Sequence, residues 1–139
     1  MYLVDTNIWL ERLLDQERSA EVGQFLAQTS TDQLLMTDFT LHSIGVILER
    51  LGQRAVLTRF VDDVFVQGGM VLVSVRPAAM HRLVAVMERF NLDFDDAYQY
   101  VAAEQADAVI VSFDGDFDRT DRRRQTPADI LSVGDAPES

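Results

Sequence analysis

Four aspartates stand where an α/β chain presents its chemistry: Asp5, Asp96, Asp114 and Asp116. Asp5 ends the apolar run Tyr2-Leu3-Val4, and Asp114 and Asp116 lie just past Ala108-Val109-Ile110-Val111-Ser112. Asp96 opens a helical stretch that runs to about Ala106 and leads into that last apolar run. In open α/β sheets the ligand crevice lies beyond the carboxyl ends of the strands, so all four side chains are expected to converge there. Carboxylates packed that closely repel one another, and some stay protonated unless a cation partners them. A hard divalent ion, Mg2+ or Mn2+, removes the conflict. It prefers oxygen ligands, keeps several waters and clamps the oxygens of a phosphodiester. With no cysteine and only two histidines, the chain is poorly equipped for zinc. Any one of these aspartates is more simply a turn residue or a helix cap, and Asp93 and Asp95 read as caps. The agreement of several strand and helix ends is what points to a metal site.

The elements that must position these acids are legible in the apolar pattern. Tyr2-Leu3-Val4, Leu34-Leu35-Met36, Met70 to Val75 and Ala108 to Ser112 read as short buried strands. Helices are predicted over about 8–15, 19–28, 40–51, 53–66 and 77–90, and from Asp93 or Asp95 to about Ala106. Gly52 and Gly68-Gly69 close two of them. A weak Ile130-Leu131-Ser132-Val133 segment suggests an edge strand, and the end from Gly134 to Ser139 is expected to fray. Short continuous apolar strands alternating with helices imply a parallel sheet covered on both faces. The expectation is one domain over residues 1–133: a three-layer α/β/α sandwich with a central parallel sheet of 4–5 strands.

Composition narrows the chemistry. The chain has 139 residues, 47% of them hydrophobic, and a formal net charge of -11. All 12 basic residues are arginine. Without lysine, a Walker-type phosphate loop, a Schiff base, a haloacid-dehalogenase-type phosphatase and a response-regulator receiver are excluded. The acidic balance argues against general nucleic-acid affinity but leaves room for a local site. No run approaches the roughly 20 apolar residues of a membrane span, and no signal segment is evident, so a cytoplasmic protein with no membrane role is expected.

The residues around these acids resemble the PIN-domain family, in particular the VapC-type toxins of toxin–antitoxin pairs. Leu3-Val4-Asp5-Thr6-Asn7 is similar to the family's first motif. Phe94-Asp95-Asp96-Ala97, with Ala102-Ala103 behind it, is similar to the third-acid motif. Val109-Ile110-Val111-Ser112-Phe113-Asp114-Gly115-Asp116-Phe117 is similar to the last. The resemblance implies a PIN-like fold and a metal-dependent endoribonuclease. Asp5, Asp96 and Asp114 would be Mg2+ or Mn2+ ligands, with Asp116 a fourth acid acting directly or through water. Asn7, Thr6 and Ser112 would orient them. It also implies an RNA substrate, an antitoxin partner whose tail covers the site, and a homodimer.

One position departs from the family pattern. The usual glutamate on the helix after the second strand falls at Ser43, and the next glutamate is Glu49. Asp38, the best substitute, or His42 one turn along would replace the usual glutamate, His42 otherwise serving beside the acids as an orienting group. The alternatives are a site with fewer ligands or weakened catalysis. His42 can equally be a hydrogen-bonded helix residue, and His81 reads as structural. Arg119, Arg122, Arg123 and Arg124 follow Asp116 closely and offer a phosphate guide, although an exposed charged loop fits them as well. Two other functions stay open: a PIN-like protein that binds RNA or an antitoxin but cleaves poorly, and a DNA nuclease.

Overall fold

The computed structural model describes residues 1–134. Strand β1 (Tyr2–Val4) leads into helices α1 (Thr6–Leu13) and α2 (Ser19–Gln28). Strand β2 (Leu34–Thr37) is followed by α3 (Asp38–Arg50) and α4 (Arg54–Val61). Strand β3 (Val71–Val73) precedes α5 (Met80–Phe90) and α6 (Phe94–Ala106). Strand β4 (Val109–Val111) and α7 (Pro127–Gly134) complete the described chain.

The four strands form one parallel sheet in the order β3-β2-β1-β4. Tyr2 sits opposite Leu34 on one side and Val109 on the other. Chain order runs outward from β1 through β2 to β3, then returns to place β4 on the far side of β1. The direction of winding therefore reverses between β1 and β4. A crevice opens at such a reversal, beyond the carboxyl ends of the two strands. Asp5 and Asp114 follow those two ends.

Side chains alternate across the sheet and feed two cores. Leu3, Leu35 and Ile110 pack with Leu83, Val86, Tyr100 and Val101 of α5 and α6. Val4, Met36 and Val111 pack with Ile8, Trp9, Phe25, Ile44 and Leu48 of α1, α2 and α3. The result is the expected PIN-like α/β/α sandwich, with four strands among the described residues. Among those residues no helix is long and apolar enough to cross a membrane.

Three local expectations are corrected. The segment Ile130–Val133 is not an edge strand but part of α7. Thr126 and Asp129 cap that helix reciprocally: the Thr126 amide donates to Asp129 (3.0 Å) and the Asp129 amide to the Thr126 hydroxyl (3.1 Å). Proline at its first position completes the start signal. The free side of β4 is taken instead by Gln125, whose amide donates to Ile110 O (2.8 Å) and whose carbonyl accepts from Ser112 N (3.0 Å). The run Met70–Val75 pairs only over Val71–Val73, on the sheet edge, where Val71 and Leu72 are 47% and 45% exposed. The predicted helix 53–66 ends its regular turns at Val61 and widens into a π-helical turn over Asp62–Gln67. Gly134 is the last residue of α7, and the rest of the expected frayed end, residues 135–139, lies outside the described residues.

Candidate metal centre

Asp5 caps the N-terminus of α1 and is only 7% exposed. Its amide still belongs to the sheet, donating to Val111 O at 2.9 Å, so the strand fixes the residue before the helix begins. Four donors meet its carboxylate. They are the Thr6 amide (2.8 Å), the Gln99 side-chain amide (2.9 Å), the Ser112 hydroxyl (2.7 Å) and, longer, Asn7 Nδ2 (3.4 Å). Burial pushes the Asp5 carboxyl above the usual carboxylate range, and the bonds from Gln99, Ser112 and Thr6 oppose that rise.

Asp96, Asp114 and Asp116 form the open part of the site. Each offers a carboxylate oxygen, and these oxygens lie within 4.8 Å of one another. Asp93 is the true cap of α6, accepting the Asp96 amide at 2.9 Å, which holds Asp96 in the first turn. The Asp114 amide donates to the Ser112 hydroxyl (3.0 Å), and its carboxylate accepts the Asp116 amide (2.9 Å). The Asp96 carboxyl is pushed up to about 7, first by burial and then by the negative charge of Asp114, Asp93, Asp5 and Asp116. The donor set is entirely oxygen and carries excess negative charge. That fits a hard divalent cation.

Three residues expected from sequence to orient the acids, Asn7, Thr6 and Ser112, meet here. Ser112 donates to Asp5 while accepting from Asp114 N and from Asn7 Nδ2 (3.2 Å). The Asn7 carbonyl oxygen accepts the Phe113 amide at 3.2 Å, so one carboxamide ties α1 to the turn after β4. Thr6 donates its hydroxyl to Thr40 at 2.9 Å.

Other candidates are placed elsewhere. Asp38 is exposed and accepts the Tyr98 hydroxyl (2.7 Å) and its neighbour's amide (2.8 Å), and it is not among the clustered acids. His42 is exposed on α3 and also stands outside that cluster. Three of the four arginines are engaged with acids. Arg119 pairs with Asp116 (3.0 Å) and donates to the Phe90 and Asn91 carbonyls that end α5. Arg122 pairs with Asp107 (2.7 Å), and Arg124 pairs with Asp118 (3.3 Å) and donates to Ser112 O. Arg123 is exposed.

Sequence reasoning missed Gln99, Thr37 and Thr40. Gln99 is 1% exposed, and its amide nitrogen bridges Asp5 and the Thr40 hydroxyl (2.8 Å) while its oxygen accepts from Thr37 (2.7 Å). A signal existed. Gln99 is the lone non-aromatic polar residue in the run Ala97 to Ala103, and it lies three residues past Asp96 on the same helix face.

The fold is thus a parallel α/β sheet with an acidic crevice at its winding reversal. The chain belongs to the PIN-domain family, whose model matches residues 2–123. No curated protein sequence matches it significantly. Solved structures similar to it include a toxin–antitoxin complex from Klebsiella pneumoniae (TM-score 0.73, 20% identity, 91% of this chain and 98% of that one). FitAB bound to an IR36 DNA fragment is similar at TM-score 0.76 and 19% identity, over 91% and 95% of the two chains. VapC20 of Mycobacterium tuberculosis, a toxin that cleaves the sarcin–ricin loop, is similar at 0.71 and 18%, over 85% and 93%.

Proposed function

We propose that this protein is a Mg2+- or Mn2+-dependent endoribonuclease and the toxin of a toxin–antitoxin pair, acting in the cytoplasm. The observation that carries the reading is the group of three carboxylates within 4.8 Å, with buried Asp5 bonded to Ser112 beside it. Asp96, Asp114 and Asp116 would hold the cation, with Asp5 the fourth acid. A divalent cation there supplies a lowered water pKa and a counter-charge for phosphoryl oxygens. Asn7, Thr6, Gln99 and Ser112 orient Asp5 by donating to it, and the bonds from Gln99, Ser112 and Thr6 oppose the rise that burial imposes. The Ser112 hydroxyl also accepts the Asp114 amide, so one side chain ties together two acids from different elements. Single-domain organisation over residues 1–133 belongs to the same proposal.

An antitoxin partner is supported by the similarity to toxin–antitoxin complexes and by an apolar groove of about 500 Å³ between α1, α2 and α4. Trp9, Leu13, Leu26, Val56 and Phe60 line it, and the buried Trp9 Nε1 has no partner among the described residues. A homodimer is part of the same reading.

The test is cleavage of RNA with added Mn2+ by wild type and by Asp96→Asn and Asp114→Asn. Cleavage that needs the metal and is lost in both variants supports the nuclease. Cleavage that survives both overturns it. A second reading, a PIN protein that binds but cleaves poorly, is favoured by the absence of any α3 carboxylate from the clustered acids among the described residues. It predicts RNA or antitoxin binding by wild type with no metal-dependent turnover.

A further inference from the structure

The arginines closest in sequence to the acids are mostly spent on ion pairs, so they are poorly placed to receive a substrate. Arg18 is different. It is exposed at the start of α2, and no ion pair engages it among the described residues. Its guanidinium lies over the Phe113 ring, 4.7 Å from the centroid. Phe113 stands between Ser112 and Asp114, so its Cα is about 3.8 Å from that of a clustered acid. Its amide is held by Asn7, whose other end reaches Asp5. The ring is partly buried against the α1 core, which sets its plane.

The Phe113–Arg18 pair forms one wall of a cleft of about 440 Å³ that also includes Asn7, Leu10, Glu11 and Glu17. Asn7 is shared between this cleft and the acidic centre. The cleft therefore opens beside the place where a scissile phosphate would sit. A stacked aromatic and guanidinium offer flat faces to an unpaired base. Glu11 and Glu17 disfavour a phosphate in the cleft itself, whereas their oxygens accept hydrogen bonds from the donor edges of bases. The occupant that satisfies both walls is a nucleobase with its phosphate directed outward.

We propose that this cleft is a subsite for one unpaired nucleotide of single-stranded RNA flanking the scissile phosphate, its base stacked on the Phe113–Arg18 pair. The proposal rests on the nuclease reading above and deepens it, because it names the conformation of the substrate: a strand with at least one extruded base. Arg18 and Phe113 are binding residues and take no part in bond breaking.

The test uses a fluorescent single-stranded RNA that wild type cleaves, with Mn2+ present, and the variants Arg18→Gln and Phe113→Leu. The leucine keeps an apolar group on the core, and Arg18 is exposed, so Arg18→Gln reads binding independently of folding. KM is expected to rise about tenfold in each, with a smaller change in kcat, the size expected for losing one stacked base. An abasic scan along the RNA should weaken wild-type KM at one position flanking the cut. That penalty should vanish in Phe113→Leu, which a merely structural role would not produce. If wild type cleaves and both variants match its KM, or the abasic penalty persists unchanged in Phe113→Leu, the subsite is wrong and the nuclease stands. If wild type neither cleaves nor binds RNA, both fall together.

Discussion

Asp5 and Asp96 are the same residue type at the same crevice, yet the fold treats them in opposite ways. Burial raises both carboxyls. At Asp5 the rise is opposed by donors from α1, α6 and the turn after β4. At Asp96 no donor opposes it, and four other aspartates add to it. One acid is satisfied by the protein. The other is left with a deficit that an outside cation can remove. A site of this kind needs both: a fixed acid that defines geometry, and frustrated acids that supply affinity.

The strongest way to break that contrast is to remove an acid of the open cluster. Asp96→Asn or Asp114→Asn should lower metal-dependent RNA cleavage about a thousandfold or more, since counter-charge at the phosphoryl oxygens is worth several kcal/mol. Initial rates with Mn2+ on a fixed RNA measure this, and a loss below tenfold would remove these acids from the site.

Gln99→Met attacks the satisfied acid instead. It leaves Asp5, Thr37 and Thr40 short of a partner in a buried network. A destabilisation of about 2 kcal/mol in urea unfolding is expected, with Mn2+ affinity by calorimetry falling about 10–100-fold. Gln99→Glu should not rescue it, because a second buried carboxylate repels the first.

The pH dependence sharpens the Asp96 side. Its native carboxyl sits at about 7 against 3.8 for an ordinary aspartate. Between those values the native state holds a proton that the unfolded chain has released, so the Asp96 contribution is fully present below 3.8 and is lost as pH rises through 7. The metal-free protein should lose about 1 kcal/mol between pH 5 and pH 8, allowing for the half-exposed setting. Saturating Mn2+ at pH 8 should restore at least that much. Thermal melts at the two pH values, with and without the ion, decide it. The smallest effect belongs to Arg122→Gln, whose guanidinium is already paired with Asp107. RNA binding should stay within twofold of wild type, and a larger loss would return the arginine stretch to the substrate path.

The acids at strand ends were readable because apolar runs mark strands, and the residue after such a run in a parallel sheet faces the crevice. Asn7 and Ser112 were readable through motif resemblance. Gln99 was not, because a polar residue inside an apolar helical run looks like a packing defect until its buried partners are known. Asp38 shows the contribution of tertiary contacts. Its place at the end of β2 matched that of Asp5, but Tyr98 from α6 reaches it first. The Ile130–Val133 segment was misread because four apolar or small residues fit either period, and only the Thr126–Asp129 cap decides for the helix.

By itself the sequence pointed to a fold class and to a class of chemistry. The absence of lysine and cysteine, the excess of aspartate and the positions of three acids after apolar runs and of a fourth at a helix start point to an oxygen-ligand cation site on an α/β sheet. Those are properties of composition and local periodicity, which need no knowledge of what packs against what. The tertiary structure decided which acids remain unsatisfied and which cations remain unpaired. Both depend on neighbours far away in the chain, as when Gln99 reaches Asp5, Tyr98 takes Asp38, and Arg18 settles on Phe113.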